Sequence, residues 1–373
     1  MIHKSSLNSA LAIFALTAFL FSCTKNDLYR DRHPGDDNNP RSEEPYKNGF
    51  FVVTEGSYGR NSGSVHFYKY GEDTIRTRVY EKENPGKILS NAAFSSALQF
   101  ANNTNGWLYL ISKMNGPIVR VNAATLKEEA RYVQEASNWR SFAVVDYNNA
   151  LVSAADGVYA VDLKTLAVTY RLQSVPARNS GEIMRSGNYV YVLQDNGAKI
   201  LSTANYSLVK SFAGFTQGFV QTPNSKIWAS TASRLFSIDN NLDTVGIAVP
   251  ASISSWGLDA PTKLTASTKE NAVFFTSGKN IYKYIDGQPQ SMAQPFITID
   301  VNPFMIYGVA RYDKNKDYIV VNGIAGYGAA SGTNYLLIYN ASTGALVKQI
   351  KYGNDGTVVD FNHIHFPALT VFQ

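Results

Sequence analysis

The sequence predicts an all-β protein: a seven-bladed β-propeller of four-stranded blades whose first blade is closed by the C-terminal strand. Three observations predict it. Aromatic residues make up 13 % of the chain, 23 of them tyrosines, and Asn-Gly and Asp-Gly turn signals separate short apolar runs. No segment between Lys47 and Gln373 keeps a helical period over three turns. A unit of four short strands recurs every 40 to 50 residues or so, the spacing of propeller blades.

The clearest copy of the unit begins at Phe142, with later strands at Ala150, Gly157 and Ala167. Its second strand recurs from Phe50, Trp107, Tyr189, Ile227, Ala272 and Tyr318, so that with Ala150 there are seven copies. Third strands follow in step from Ser64, Ile118, Lys199, Arg234, Asn280 and Tyr335. A four-stranded sheet cannot bury both faces alone, and radial packing lets each blade cover the next. A β-sandwich is the structural alternative, and seven in-phase copies argue against it.

The ends of the repeat predict how the ring closes. The first copy, residues 50–80, has strands two to four but no first strand before them. Residues 366–373 form a surplus strand resembling the inner-strand segment 306–310, and they are expected to complete the first blade from inside.

The start of the chain reads as an export signal. Residues 1–22 carry a short basic start and an apolar run from Leu11 to Phe21, too short to span a bilayer comfortably. Leu20-Phe21-Ser22-Cys23 resembles a bacterial lipobox, which makes Cys23 the expected lipidation site. It is the only cysteine, so no intrachain disulfide supports the fold. Residues 23–46 follow as a lipidated flexible tether, and 47–373 as the propeller. The tether holds ten charges and three prolines and buries too little apolar surface to offset its ordering entropy. Lys25-Asn26-Asp27 loosely resembles the signal that sends Bacteroidetes lipoproteins to the outer face of the outer membrane.

Charge excludes one class of partner. Residues 47–373 hold 29 basic and 23 acidic side chains, a mild surplus with no basic run, so nucleic acid is not an expected partner.

The two loop sets of the predicted propeller differ in chemistry. Turns between first and second strands are short and polar, as at residues 147–149, 185–187 and 313–317. Loops entering the innermost strands, and those joining second to third strands, are rich in aromatics, Arg, Asn and Gly. Tyr58, Trp139, Arg140, Arg178, Phe215, Trp256, Tyr307 and Tyr327 lie in this set and are the expected ligand-binding residues. For any one of them packing between blades is the competing role, whereas for the set a binding face is expected. No catalytic residues are assigned, because Ser, His and acids never join in a nucleophile motif. His363 and His365 alternate on one segment without a third ligand, and Glu55 stands without partners for a calcium site, so no metal site is expected. Gly323, Gly326 and Gly328 lack the following helix that phosphate cradling needs.

The opening segment 51–68, an apolar strand followed by Glu55-Gly56 and Gly59-x-Asn61-x-Gly63, resembles the first-blade motif of a YncE-like surface lipoprotein propeller family of Bacteroidetes. Within it the chain is similar to the cobalamin-binding lipoproteins of the BtuG type. That resemblance implies capture of cobalamin or another corrinoid and delivery to a TonB-dependent outer-membrane transporter, with lipid anchoring at the cell surface. Aromatics would then meet the corrin, Asn and Gln its amide arms, and Arg140 or Arg178 its phosphate. The same inventory suits a glycan or an adhesion partner, and a lactonase-like enzyme is the third reading.

Replacing Cys23 by alanine is expected to move the protein from membranes to the soluble fraction without unfolding it. Fractionation of cells tests this, and a native protein already soluble in the periplasm would overturn the lipid anchor.

Overall fold

The computed structural model describes residues 44–57, 61–89, 98–134, 138–353 and 364–373. Residues 1–43, which include the expected signal peptide, Cys23 and most of the expected tether, lie outside the described residues.

The described chain forms seven antiparallel sheets arranged as a propeller, with one further two-stranded ribbon in which Gly56–Ser57 pairs with Asn61–Ser62. The second to sixth blades each hold four strands in sequence order. Their second strands are Trp107–Ser112, Asn149–Ala154, Tyr189–Gln194, Ile227–Ser230 and Ala272–Ser277. Blade 7 uses Tyr318–Ile324 in that position and blade 1 uses Gly49–Thr54. These are the seven segments that the repeat predicts.

Ring closure also follows the expectation. Pro367–Phe372 pairs antiparallel with Gly49–Thr54, Phe51 lying opposite Val371 and Val52 opposite Thr370. The outer side of Gly49–Thr54 pairs with Val65–Lys69. The fourth position of blade 1 shrinks to one bridge, in which Phe67 and Arg76 exchange two backbone hydrogen bonds of 2.8 Å. A short helix, Val79–Glu83, follows it. The Tyr80 hydroxyl of that helix donates to Glu128 of blade 2, which also accepts from Arg131 at 2.8 Å and Lys87 at 3.1 Å. Burial alone would raise the Glu128 pKa, but these donors outweigh it and hold the carboxyl down at about 2.

Strand alternation explains why the ring must close. Successive side chains point to opposite faces. In blade 1, Phe51 and Val53 pack with blade 2, whereas Phe50 and Val52 pack with blade 7. Leu108 and Leu110 likewise face blade 1 while Tyr109 and Ile111 face blade 3. Each of the seven gaps between blades holds its own apolar cluster. Burying one such side chain stabilises by about 1.5–3 kcal/mol, so every second strand contributes on both faces.

One inner strand departs from the expectation. Segment 306–310, the likeness used for the closing strand, is not continuous. Blade 7 has Met305–Ile306 and Arg311–Asp313 as separate strands. Between them Gly308 takes φ 72°, and a Cβ there would lie 2.2 Å from the Ala368 carbonyl oxygen of the closing strand. The break lets blade 7 approach that strand.

Deleting residues 367–373 removes Leu369 and Val371 from the core between blades 1 and 2 and exposes an unpaired sheet edge. The expected cost is about 5 kcal/mol or more, read as a large fall in the thermal midpoint together with aggregation. An unchanged midpoint would show that the ring does not depend on this strand.

Candidate functional site

Blade 6 is entered by a long loop that contains the single turn Gly257–Asp259. This loop reaches across to other blades. Asp259 pairs with Arg140 of blade 3 at 2.6 Å and with Lys113, which follows the second strand of blade 2, at 3.2 Å. Gln217 of blade 5 donates to the Ser255 hydroxyl at 2.6 Å. At Gly181 in blade 4 a Cβ would come within 2.8 Å of the Leu258 carbonyl oxygen. One loop therefore caps the axis on the aromatic-rich face.

Beside this cap a cleft of about 270 Å³ opens between blades 6 and 7. Trp256, Lys263, Lys279, Phe304, Met305 and Tyr327 line it. They come from loops entering inner strands and from loops joining second to third strands, the two sets expected to share a face. Trp256 is 38 % exposed and Tyr327 64 %, whereas Tyr307 is buried edge-on against Trp256 with ring centroids 4.7 Å apart. Phe366 supports Tyr307 from the other side at 4.9 Å.

The floor of the cleft carries a buried cation. Lys263 is 3 % exposed. Its Nζ sits 4.1 Å from the centre of the Trp256 ring and donates to the Gly308 carbonyl. Burial, with Arg311 nearby, pushes its pKa down to about 7 against the opposing pull of Glu55. The Tyr307 phenol is pushed far up, first by burial and then by Glu55, which accepts its hydrogen bond. Glu55 is itself placed by its backbone N–H, which donates to the Phe366 carbonyl at 2.9 Å. An ammonium on an indole face is held by cation–π attraction, and at this pKa it gains or loses its charge near neutral pH.

The residues expected to bind ligand divide into three groups. Trp256, Tyr307 and Tyr327 come together at the cleft. Trp139 and Phe215 do not reach the surface: Trp139 is 1 % exposed, edge-on to Tyr159 at 5.6 Å. Phe215 is stacked on Phe212 at 5.5 Å and buried. Both stand where an entering loop turns into an inner strand, and there the neighbouring blade covers them. The two arginines are already engaged. Arg140 is buried, bonded to Asn179 and Asp259, with its pKa lowered by burial against the pull of Asp259. Arg178 pairs with Asp195 at 2.7 Å on the surface of blade 4. Tyr58 lies outside the described residues, as does His363. His365 is buried, its Nδ1 2.9 Å from the Ser331 hydroxyl. Lys263 and Lys279 were not anticipated. The legible signal for Lys263 was a lone charge in the inner-strand run Thr262-Lys263-Leu264, a position that otherwise favours apolar or small residues.

The Lys263 shift has a testable sign. Its folded pKa lies below its unfolded value of about 10.4. Between pH 7 and 10 or so, the unfolded chain binds more protons, so this group adds stability as pH rises through that window, and below it folding must bury an ammonium. Lys263→Met is expected to flatten this part of the stability curve and to raise stability at pH 6. Denaturant titrations at several pH values check it, and an unaltered curve would show that Lys263 keeps an ordinary pKa.

Comparison with known proteins places the fold. A quinonprotein alcohol dehydrogenase-like protein from Bacteroides thetaiotaomicron superposes with TM-score 0.69 at 18 % identity, over 88 % of this chain and 78 % of that one. U3-55K superposes with TM-score 0.52 at 10 % identity, over 72 % of this chain and 85 % of its own. The dihydro-heme d1 dehydrogenase NirN in complex with DHE gives 0.51 at 13 %, over 85 % and 75 %. At these identities the likeness is one of fold. No curated protein matches the sequence. The sequence itself carries a family match: residues 48–373, the whole propeller, fit the domain of unknown function DUF5074, and the chain belongs to that family.

Proposed function

We propose that this chain is a lipid-anchored protein of the bacterial cell surface that captures cobalamin or a related corrinoid and passes it to a TonB-dependent outer-membrane transporter. On this reading it is a binding protein and not an enzyme. The observation that carries the binding role is the cleft between blades 6 and 7, where exposed Trp256 and Tyr327 flank a buried lysine. Large exposed aromatics on one rim mark a contact surface, and few polar groups set among them fix orientation. The corrinoid assignment rests on the resemblance of segment 51–68.

The geometry changes which side chains would serve. Arg140 and Arg178 are spent on Asp259 and Asp195, so a ligand phosphate would turn to Lys263 and Lys279. A corrin is larger than the cleft, so one edge or arm enters it while the ring lies across Trp256 and Tyr327. A glycan is the second reading, favoured by the exposure of Tyr327 beside Trp256, since sugar faces stack on such a platform.

Fluorescence tests the ligand. Trp139 and Trp228 are enclosed in the core, and half-buried Trp107 starts the second strand of blade 2 on the opposite face, which makes Trp256 the reporter at the site. Cobalamin is expected to quench its emission with saturation at one ligand per chain, and Trp256→Phe to remove that saturable component. By calorimetry, Tyr327→Ala and Lys263→Met should each weaken binding by about 2 kcal/mol, while changes in the 313–317 turn leave it intact. No heat and no quenching with micromolar cobalamin would reject the corrinoid, and binding of oligosaccharides that is lost in Tyr327→Ala would establish the glycan reading instead.

A further inference from the structure

The axis of the propeller holds a second cavity, separate from the cleft. It encloses about 380 Å³ and is lined by the innermost strands of blades 1, 2, 3, 4, 6 and 7. Pro261, at the end of the cap loop, bounds it toward the cleft face. Asn103, Thr268 and Lys314 bound it toward the opposite face, where first and second strands are joined. Lys314 is exposed, so the open mouth carries a positive charge.

Two opposite charges line the interior, Glu182 of blade 4 and Arg311 of blade 7. They influence each other electrostatically but form no ion pair. Glu182 accepts one hydrogen bond from protein, from the Thr262 N–H at 3.3 Å. Arg311 donates through Nη1 alone, to the carbonyls of Ala310, Thr262 and Leu264 at 3.0, 2.9 and 3.3 Å. Its Nε and Nη2, and the second Glu182 oxygen, have no hydrogen-bond partner among the described residues. Burial raises the Glu182 pKa against the pull of Arg311 and Thr262, and it lowers that of Arg311 to about 10 against the pull of Glu182. Each side chain thus faces the channel with hydrogen-bonding capacity left over.

The fold makes room for this arrangement. A Cβ at Gly218, in the inner strand of blade 5, would lie 2.4 Å from the Glu182 Cβ and 2.5 Å from its Cγ, so the glycine there is what lets the carboxylate side chain lie along the channel wall. Both side chains are half-buried on the channel wall, and ionisable groups of opposite type with unspent hydrogen-bonding atoms facing a cavity mark a site for a ligand that completes them.

We propose that the axial channel binds a free α-amino acid, entered from the face opposite the cleft. The ligand carboxylate meets the open edge of the Arg311 guanidinium, and its ammonium meets Glu182. Planar guanidinium recognises carboxylate through paired hydrogen bonds, and a zwitterion satisfies both wall charges at once without adding net charge to the channel. Lys314 draws the carboxylate end to the mouth.

The full-length chain is the material for the test, titrated by calorimetry and thermal shift with glycine, L-alanine, L-serine and L-glutamate. Propionate and ethylamine, which carry one charge each, are the controls. At least one amino acid is expected to bind at one site and raise the thermal midpoint, with neither control doing so at the same concentration. The isosteric Glu182→Gln should weaken that binding at least about tenfold, and Lys314→Glu, an exposed change that spares the core, should weaken it less. Silence of all four amino acids at millimolar concentration would overturn the proposal. So would binding that propionate reproduces, or binding indifferent to both variants.

Discussion

The structure depends on blades that are apolar on both faces. In a strand such as Gly49–Thr54 every side chain is buried, alternate residues serving alternate neighbours. No blade can satisfy that demand unless it has a blade on each side, so an open stack would leave two apolar faces in water. Closing the ring is the arrangement that leaves none. The chain achieves it by returning its last strand to its first blade, where Phe372 meets Phe50 with ring centroids 5.4 Å apart and Leu369 and Val371 join the core shared with blade 2.

Closure has a second consequence, an axis lined by innermost strands that cannot all be apolar and small. The chain places charges there, and each is handled differently. Arg140 is neutralised by Asp259, which arrives on the loop of a blade three positions away around the ring. Lys263 has an indole face and a carbonyl instead of a carboxylate contact. Glu182 and Arg311 face a cavity without forming an ion pair. Buried ion pairs contribute little net stability, but an uncompensated buried charge costs several kcal/mol, so the three solutions differ in what they leave available. Arg140 keeps only an enclosed Nε unspent, out of a ligand's reach, whereas the other groups remain able to meet a ligand.

The same loop that neutralises Arg140 builds the cleft. Its Ser255, Leu258 and Asp259 reach toward blades 2 to 5, and Trp256 is left half-exposed facing blade 7. The aromatic rim is thus held by anchored neighbours and not by a free loop, which limits the ordering entropy that a ligand must offset.

Much of the fold was legible in the sequence. The period-2 apolar runs at near-regular spacing determined the seven second strands, and the missing first strand of the first repeat determined where the C-terminal strand belongs, because strand pairing and alternation are properties of local sequence. The face carrying the cleft was legible too, from the contrast between polar turns and aromatic loops. Which aromatics stay exposed was not. Trp139 and Trp256 sit in equivalent entering loops and read alike, yet one is enclosed between blades 2 and 3 and the other stands at a cleft. Arg140 read as a free phosphate ligand because its partner Asp259 is 119 residues away, and nothing in the sequence links Glu182 with Arg311. Exposure and charge pairing depend on residues from other blades brought around a closed ring, so only the tertiary structure decided them.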